Sequence, residues 1–215
     1  MKKLIIFDFD GVVIDTESYY VDIHLSFFEK LNVPFTAEGV RAMAGRSLIS
    51  IFREIKERFA LSQTPEELKA MNIQHMIDFY NSREEVPLIA GVPNLLHFCR
   101  EKGIDFCLGS SNSRRVIETI LKKTRLETYF NVIVSGDDVF EGKPNPEIFE
   151  LAAQKMGYKP EDCLVIEDTT NGVKAAKNAG MYCIGFSNPN SGNQDLSLAD
   201  VIIKGRMDQI ISHWD

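Results

Sequence analysis

A chain of 215 residues that is 44% hydrophobic has the material for one domain, or one and a half, around a sizeable core. Its formal net charge of −7 and pI near 5.2 lack the electrostatic footprint of a nucleic-acid binder and disfavour docking on anionic membranes. Only Leu4 to Phe7 separate Lys3 from Asp8, too short an apolar run for a signal peptide, and no stretch approaches a membrane span, so a cytoplasmic chain is expected.

The first element is an apolar run over residues 4–7 that reads as a buried strand ending in Asp8-Phe9-Asp10-Gly11. Alternation along a strand sends Asp8 and Asp10 one way and Phe7 and Phe9 the other. Two carboxylates at a buried strand end are costly unless a cation offsets them.

After Asp15 the pattern becomes helical. Residues 17–31 carry Tyr20, Ile23, His24, Phe27, Phe28 and Leu31 at three- and four-residue steps, with Thr16 placed to cap the helix. Helices are also predicted over 36–43, 47–59 and 64–80, the last opened by Thr64-Pro65-Glu66-Glu67. Residues 16–85 therefore read as an all-helical insertion.

From Val86 onward helices and strands alternate. The pattern predicts helices over 92–102, 114–123, 146–156 and 172–178, and strands over 104–109, 132–134, 163–166, 182–186 and 201–203. That alternation implies a parallel sheet covered on both faces. The expected fold is α/β, a doubly wound core over 1–15 and 86–215 with a helical insertion after its first strand. Only residues 188–195 read as a loose polar loop.

Three later strand ends carry polar groups. The second runs into Ser110-Ser111-Asn112, hydroxyl and amide groups at a helix start, which suit a phosphate or simply cap the helix. The third leads to Lys143-Pro144-Asn145-Pro146, where prolines stiffen the backbone around the lysine. It is no P-loop, lacking the upstream glycine and the following Ser or Thr. The fourth ends in Glu167-Asp168-Thr169-Thr170-Asn171-Gly172. Acids from two strands converging at one edge make a hard-oxygen site suited to Mg²⁺. The cysteines (Cys99, Cys107, Cys163, Cys183) form no C-x-x-C pair and read as buried thiols, and the scattered histidines show no metal spacing.

Asp8-Phe9-Asp10-Gly11-Val12, Ser110, Lys143-Pro144-Asn145-Pro146 and Glu167-Asp168 with Asn171-Gly172 resemble, in order, the four motifs of the haloacid dehalogenase superfamily. The insertion resembles the cap of its β-phosphoglucomutase-like and phosphoglycolate-phosphatase-like branch. The resemblance implies Asp8 as nucleophile and Asp10 as general acid and base, with Ser110 and Lys143 holding phosphoryl oxygens. It implies Mg²⁺ on Asp8, the backbone carbonyl of Asp10 and Asp168, with Glu167 a direct or water-mediated ligand. Ser111, Asn112, Thr16, Tyr20 and Arg46 are the candidate substrate contacts.

An acid at Asp10 points to phosphate esters, because members that cleave carbon–halogen bonds or phosphonates lack it. An ungapped alignment places Ala44 and Leu48 where the mutases carry a cap lysine and arginine, and Tyr20 where they carry a histidine. The expectation is a monomeric Mg²⁺-dependent phosphatase of a small phosphorylated metabolite, a sugar phosphate in the first instance. The alternative enzyme is a β-phosphoglucomutase-type mutase. A phospho-acceptor signalling module, the remaining alternative, would have no use for Asp10 or for so large an insertion.

Overall fold

The computed structural model describes residues 2–43 and 48–213. It divides into two compact units, residues 17–84 and residues 1–16 with 85–215. The smaller unit holds α1 (Glu17–Lys30), α2 (Ala37–Arg41), α3 (Leu48–Phe59) and α4 (Pro65–Ser82). Thr64 opens α4 with a reciprocal capping box: its hydroxyl accepts from the Glu67 N–H, and the Glu67 carboxylate accepts from the Thr64 N–H. Phe27, Phe28, Val40, Ile51, Phe52, Ile55 and Leu68 form the buried core of this unit.

The larger unit is built on β1 (Leu4–Phe7), β2 (Asp105–Gly109), β3 (Ile133–Val134), β4 (Cys163–Glu167), β5 (Tyr182–Ser187) and β6 (Val201–Lys204). All pair in parallel, in the order β3-β2-β1-β4-β5-β6. Helices α5 (Val92–Lys102), α6 (Arg114–Thr124), α7 (Glu147–Met156) and α8 (Thr170–Asn178) make the crossovers. Leu4 and Ile6 of β1 pack with Val165, Cys183, Phe149 and Ala176 on one side of the sheet. Phe7, pointing the other way, meets Phe106 and Phe130 edge-on. Strand β1 is thus buried on both faces, as its unbroken apolar run requires.

Register then fixes where the polar strand ends emerge. Phe7 lies opposite Leu108 on one side and Ile166 on the other, and Ile166 lies opposite Ile184. Asp8, Ser110, Asp168 and Asn188 therefore leave the sheet at the same carboxyl edge, and the strand order reverses at β1, where ligands bind in such sheets.

Thr16 does not cap α1 as the sequence suggested. Its hydroxyl is buried on the side of Asp10, because Thr16 packs with the α/β unit rather than with the helix that follows it. Residues 207–213 form a 3-10 turn that the sequence did not announce. Among the described residues no helix is long and apolar enough to cross a membrane.

The helical unit buries two histidines. The ammonium of Lys30 donates to Nδ1 of His75 at 3.0 Å, so the neutral ring carries its proton on Nε2, which faces the Ser26 hydroxyl at 2.9 Å. His24 lies between Tyr20 and Phe28, and burial, then the nearby His75, pulls its pKa down to about 4 from 6.5. A folded-state pKa below the unfolded one means that the unfolded chain takes up the proton first. Stability carried by neutral His24 is present above pH 6.5 and is lost as pH falls toward 4. Between pH 7 and pH 5 the protein should lose about 2 kcal/mol relative to a His24→Phe variant. Denaturant unfolding of both at the two pH values checks this, and parallel pH dependences would contradict it.

Candidate active site

At the carboxyl edge the Asp8 N–H donates to the Ile166 carbonyl at 2.9 Å, extending the β1–β4 ladder by one residue into the acidic turn. The Ser110 N–H likewise donates to the Val134 carbonyl at 2.9 Å. These bonds fix the first residue beyond each strand, so the side chains converge on backbone that the sheet holds in place.

Lys143 is the hub. Its side chain is 6% exposed, and its ammonium donates to Asp8 Oδ1 at 2.5 Å, to Glu167 Oε1 at 2.8 Å and to the Gly109 carbonyl at 3.1 Å. Three donors meet three acceptors, and the Phe149 ring lies 4.7 Å from the charge. Asp8, Glu167 and Asp168 are all buried, with one carboxylate oxygen of each within 4.8 Å of the others. The second oxygen of Glu167 accepts from the N–H and the hydroxyl of Thr169 at 2.8 and 2.9 Å. Both oxygens of Glu167 are therefore engaged by the chain itself. Gly172 is required beside it, since a Cβ there would fall on the Glu167 carboxylate.

Asp10 is held apart from this cluster. Asn112 Nδ2 donates to both of its oxygens at 3.3 and 3.2 Å, and the Ser110 hydroxyl donates to Oδ2 at 3.4 Å. The Asn112 side-chain oxygen accepts from the Ser113 N–H at 2.8 Å, which settles the amide orientation. The cap of α6 is Ser113, not Ser110. Ser111 is exposed, and its backbone carbonyl packs so closely on Gly136 that a Cβ there would overlap it. Thr16 belongs to the same unit and its buried hydroxyl lies near Asp10. Tyr20 belongs to the helical unit, where its ring packs edge-on against His24. Arg46 lies outside the described residues.

Burial dominates the electrostatics. It pushes the Asp8 carboxyl up to about 8, against the pull of Lys143 and with Glu167 and Asp10 adding to the push. Burial also raises Asp10, although Thr16, Asn112, Lys143 and Ser110 each favour its charged form. For Lys143 burial acts downward, but the ion pairs with Asp8 and Glu167 outweigh it and hold the ammonium protonated. Three buried carboxylates against one ammonium leave an excess of negative charge, which a hard divalent cation with oxygen preference would neutralise. The donor set fits such an ion. The cysteines are free and buried, and none joins the cluster.

Sequence reading missed the residues around Asp168. Residues 188–195 are no loose loop: Asn188 and Ser191 are buried, the Ser191 hydroxyl donates to Asp168, and the Asn188 amide donates to the Gly11 carbonyl at 2.9 Å. Gly11 has φ +76, and Asp168 packs so closely on it that a Cβ would overlap the carboxylate. The one available sequence signal was an Asn-Pro-Asn turn directly after a strand at the ligand-binding edge.

Residues 5–186 match the haloacid dehalogenase-like hydrolase family, and the chain belongs to that family. It is an enzyme of the phosphoric monoester hydrolase class. It is 33% identical to the phosphorylated carbohydrates phosphatase of Thermotoga maritima over 83% of this chain and 82% of that one. It is 28% identical to the β-phosphoglucomutase of Bacillus subtilis over 96% and 91% of the two chains. Its fold superposes on that of CbbY from Rhodobacter sphaeroides, crystallised with xylulose 1,5-bisphosphate, with a TM-score of 0.84, 24% identity and 94% of each chain covered.

The charge balance makes a prediction for the protein in chelator. Lys143→Ala strands buried carboxylates and should cost about 3–5 kcal/mol. Asp8→Asn should act oppositely. A carboxyl whose folded pKa is raised costs stability progressively as pH rises from its unfolded value toward about 8, because the unfolded chain gives up the proton first, and the amide removes that cost. Unfolding at pH 7.5 should rank Asp8→Asn above the parent protein and Lys143→Ala below it. Asp8→Asn falling below the parent would contradict this charge balance.

Proposed function

We propose that the protein is a Mg²⁺-dependent phosphatase that releases inorganic phosphate from a small phosphorylated carbohydrate through a covalent intermediate on Asp8. The observation that carries the reading is the division of labour between two acids on one turn. Asp8 is locked to Lys143 inside an acidic cluster, whereas Asp10 is held outside it by an amide and a hydroxyl. One is placed to attack, the other to exchange a proton.

An Asp8 carboxylate oxygen attacks phosphorus while the bond to the ester oxygen breaks. The leaving oxygen takes the proton of the Asp10 carboxyl, which burial keeps more readily protonated than an ordinary aspartate. The resulting aspartyl-phosphate is hydrolysed by water, whose proton returns to Asp10 as its oxygen bonds to phosphorus and the Asp8 carboxylate departs. Lys143 exchanges one of its three chain partners for a phosphoryl oxygen, Ser110 holds another, and the ammonium offsets their charge. Asp8, Asp168 and the Asp10 backbone carbonyl would hold Mg²⁺, with Glu167 behind them. When bound, the ion supplies Lewis-acid neutralisation of charge on the phosphoryl group. The helical unit serves as the substrate-selecting cap, a role supported by its size, far beyond an ordinary connection.

Hydrolysis is favoured over a mutase reaction by Leu48. A mutase must grip a second phosphate, which calls for positive charge, best as an arginine fork. At the aligned position Leu48 packs against the apolar core of the helical unit. The carbohydrate substrate class is supported by the name of the Thermotoga maritima relative.

Incubation with β-glucose 1-phosphate and trace glucose 1,6-bisphosphate separates the two reactions. Inorganic phosphate should appear, with or without the bisphosphate. Glucose 6-phosphate formed faster than phosphate would contradict the phosphatase reading. In the same assay Asp10→Asn should slow turnover by about 10²–10⁴ while leaving Mg²⁺ bound, since its ligand is a backbone carbonyl. Loss of metal binding in that variant would reverse the roles assigned to the two acids.

A further inference from the structure

We propose that Ser191 and Asn188, on the segment after β5, are positioning residues for the divalent cation: Ser191 orients the Asp168 carboxylate, and Asn188 fixes the Gly11 turn against which that carboxylate packs. The inference rests on the reading above that Asp168 holds the cation.

The Ser191 hydroxyl donates to Asp168 Oδ2 where both residues are buried, Asp168 at 1% exposure. A hydrogen bond to a charged acceptor in such surroundings is strong and directional, and it sets the rotation of the carboxylate about its last bond. The same oxygen lies against Gly11 with no room for a Cβ. Gly11 is itself pinned through its carbonyl by the Asn188 amide at 2.9 Å. One short segment therefore holds both of the groups that meet Asp168 Oδ2, the Ser191 hydroxyl directly and Gly11 through Asn188. Its contact with Gly11 also falls one residue beyond Asp10, whose carbonyl is the other proposed ligand.

The segment is stiff enough for this task. The Asn188 side-chain oxygen accepts from the Asn190 N–H at 2.9 Å, closing an Asx turn. Gln194 donates to the Ser191 carbonyl at 2.9 Å and accepts from the Thr170 N–H at 2.9 Å, tying the segment to the start of α8. Asn190 reaches Asp15 at 3.0 and 3.2 Å, a separate attachment that touches neither Asp168 nor Gly11. Groups behind metal ligands act by such orientation, and their loss weakens metal affinity.

Calorimetric titration of the purified protein with Mg²⁺ alone, without substrate, tests the assignment. Ser191→Ala should weaken Mg²⁺ binding by about 10–100-fold. Its unfolding midpoint in chelator should stay close to the parent's, and its turnover should be recovered at high Mg²⁺. Asn188→Ala should shift the affinity in the same direction, an independent reading should Ser191→Ala fold poorly. Asn190→Ala should bind Mg²⁺ like the parent. Parent-like binding by both Ser191→Ala and Asn188→Ala overturns the positioning role and leaves the cation site standing. Equal weakening in Asn190→Ala overturns it too, because the effect would then belong to the loop as a whole. Absence of Mg²⁺ binding by the parent overturns the cation site itself, and the inference with it.

Discussion

The buried ammonium of Lys143, shared between Asp8 and Glu167, is the interaction on which the carboxyl edge of the sheet depends. Without it the chain would bring carboxylates from two adjacent strands into a space closed to water. Burial already works against this: it pushes the Asp8 carboxyl up to about 8 even with the lysine in place. The cluster is stable enough to exist and charged enough to attract a cation, and these two properties come from the same imbalance.

The fold supplies what the lysine needs. Parallel pairing brings Phe7, Leu108 and Ile166 level, so the residues that follow them meet without any long loop having to reach. Lys143 comes from farther away, from the connection between β3 and α7, and bridges two strands as well as the carbonyl that ends β2. Asp10 sits one turn away from that bridge, held by Ser110 and Asn112. That separation pairs one acid with the lysine while the other is free to trade a proton.

Much of this was legible in the sequence because it is local. Each strand is an apolar run with an acid, a serine or a glycine at its end, and each helix carries its own periodicity, so β1 and α5 appear where the pattern put them. What escaped were side chains whose partners are distant in sequence. Ser191 and Asn188 read as ordinary loop polarity, since nothing in the neighbouring residues records that Asp168 and Gly11 stand opposite them. Thr16 had the right local pattern for a cap, yet packing took its hydroxyl elsewhere. The Asn112 amide likewise meets Asp10, a partner that no neighbouring residue records.

The central claim is that Asp8 carries the phosphoryl group during turnover, and it can be tested directly by trapping. Protein mixed with a sugar phosphate that it turns over, quenched in acid and reduced with borohydride should yield homoserine at position 8 in the peptide that contains β1. The parent residue should remain at position 8 when substrate is omitted. Reduction at position 10, or no reduction anywhere despite continuing phosphate release, would contradict the mechanism.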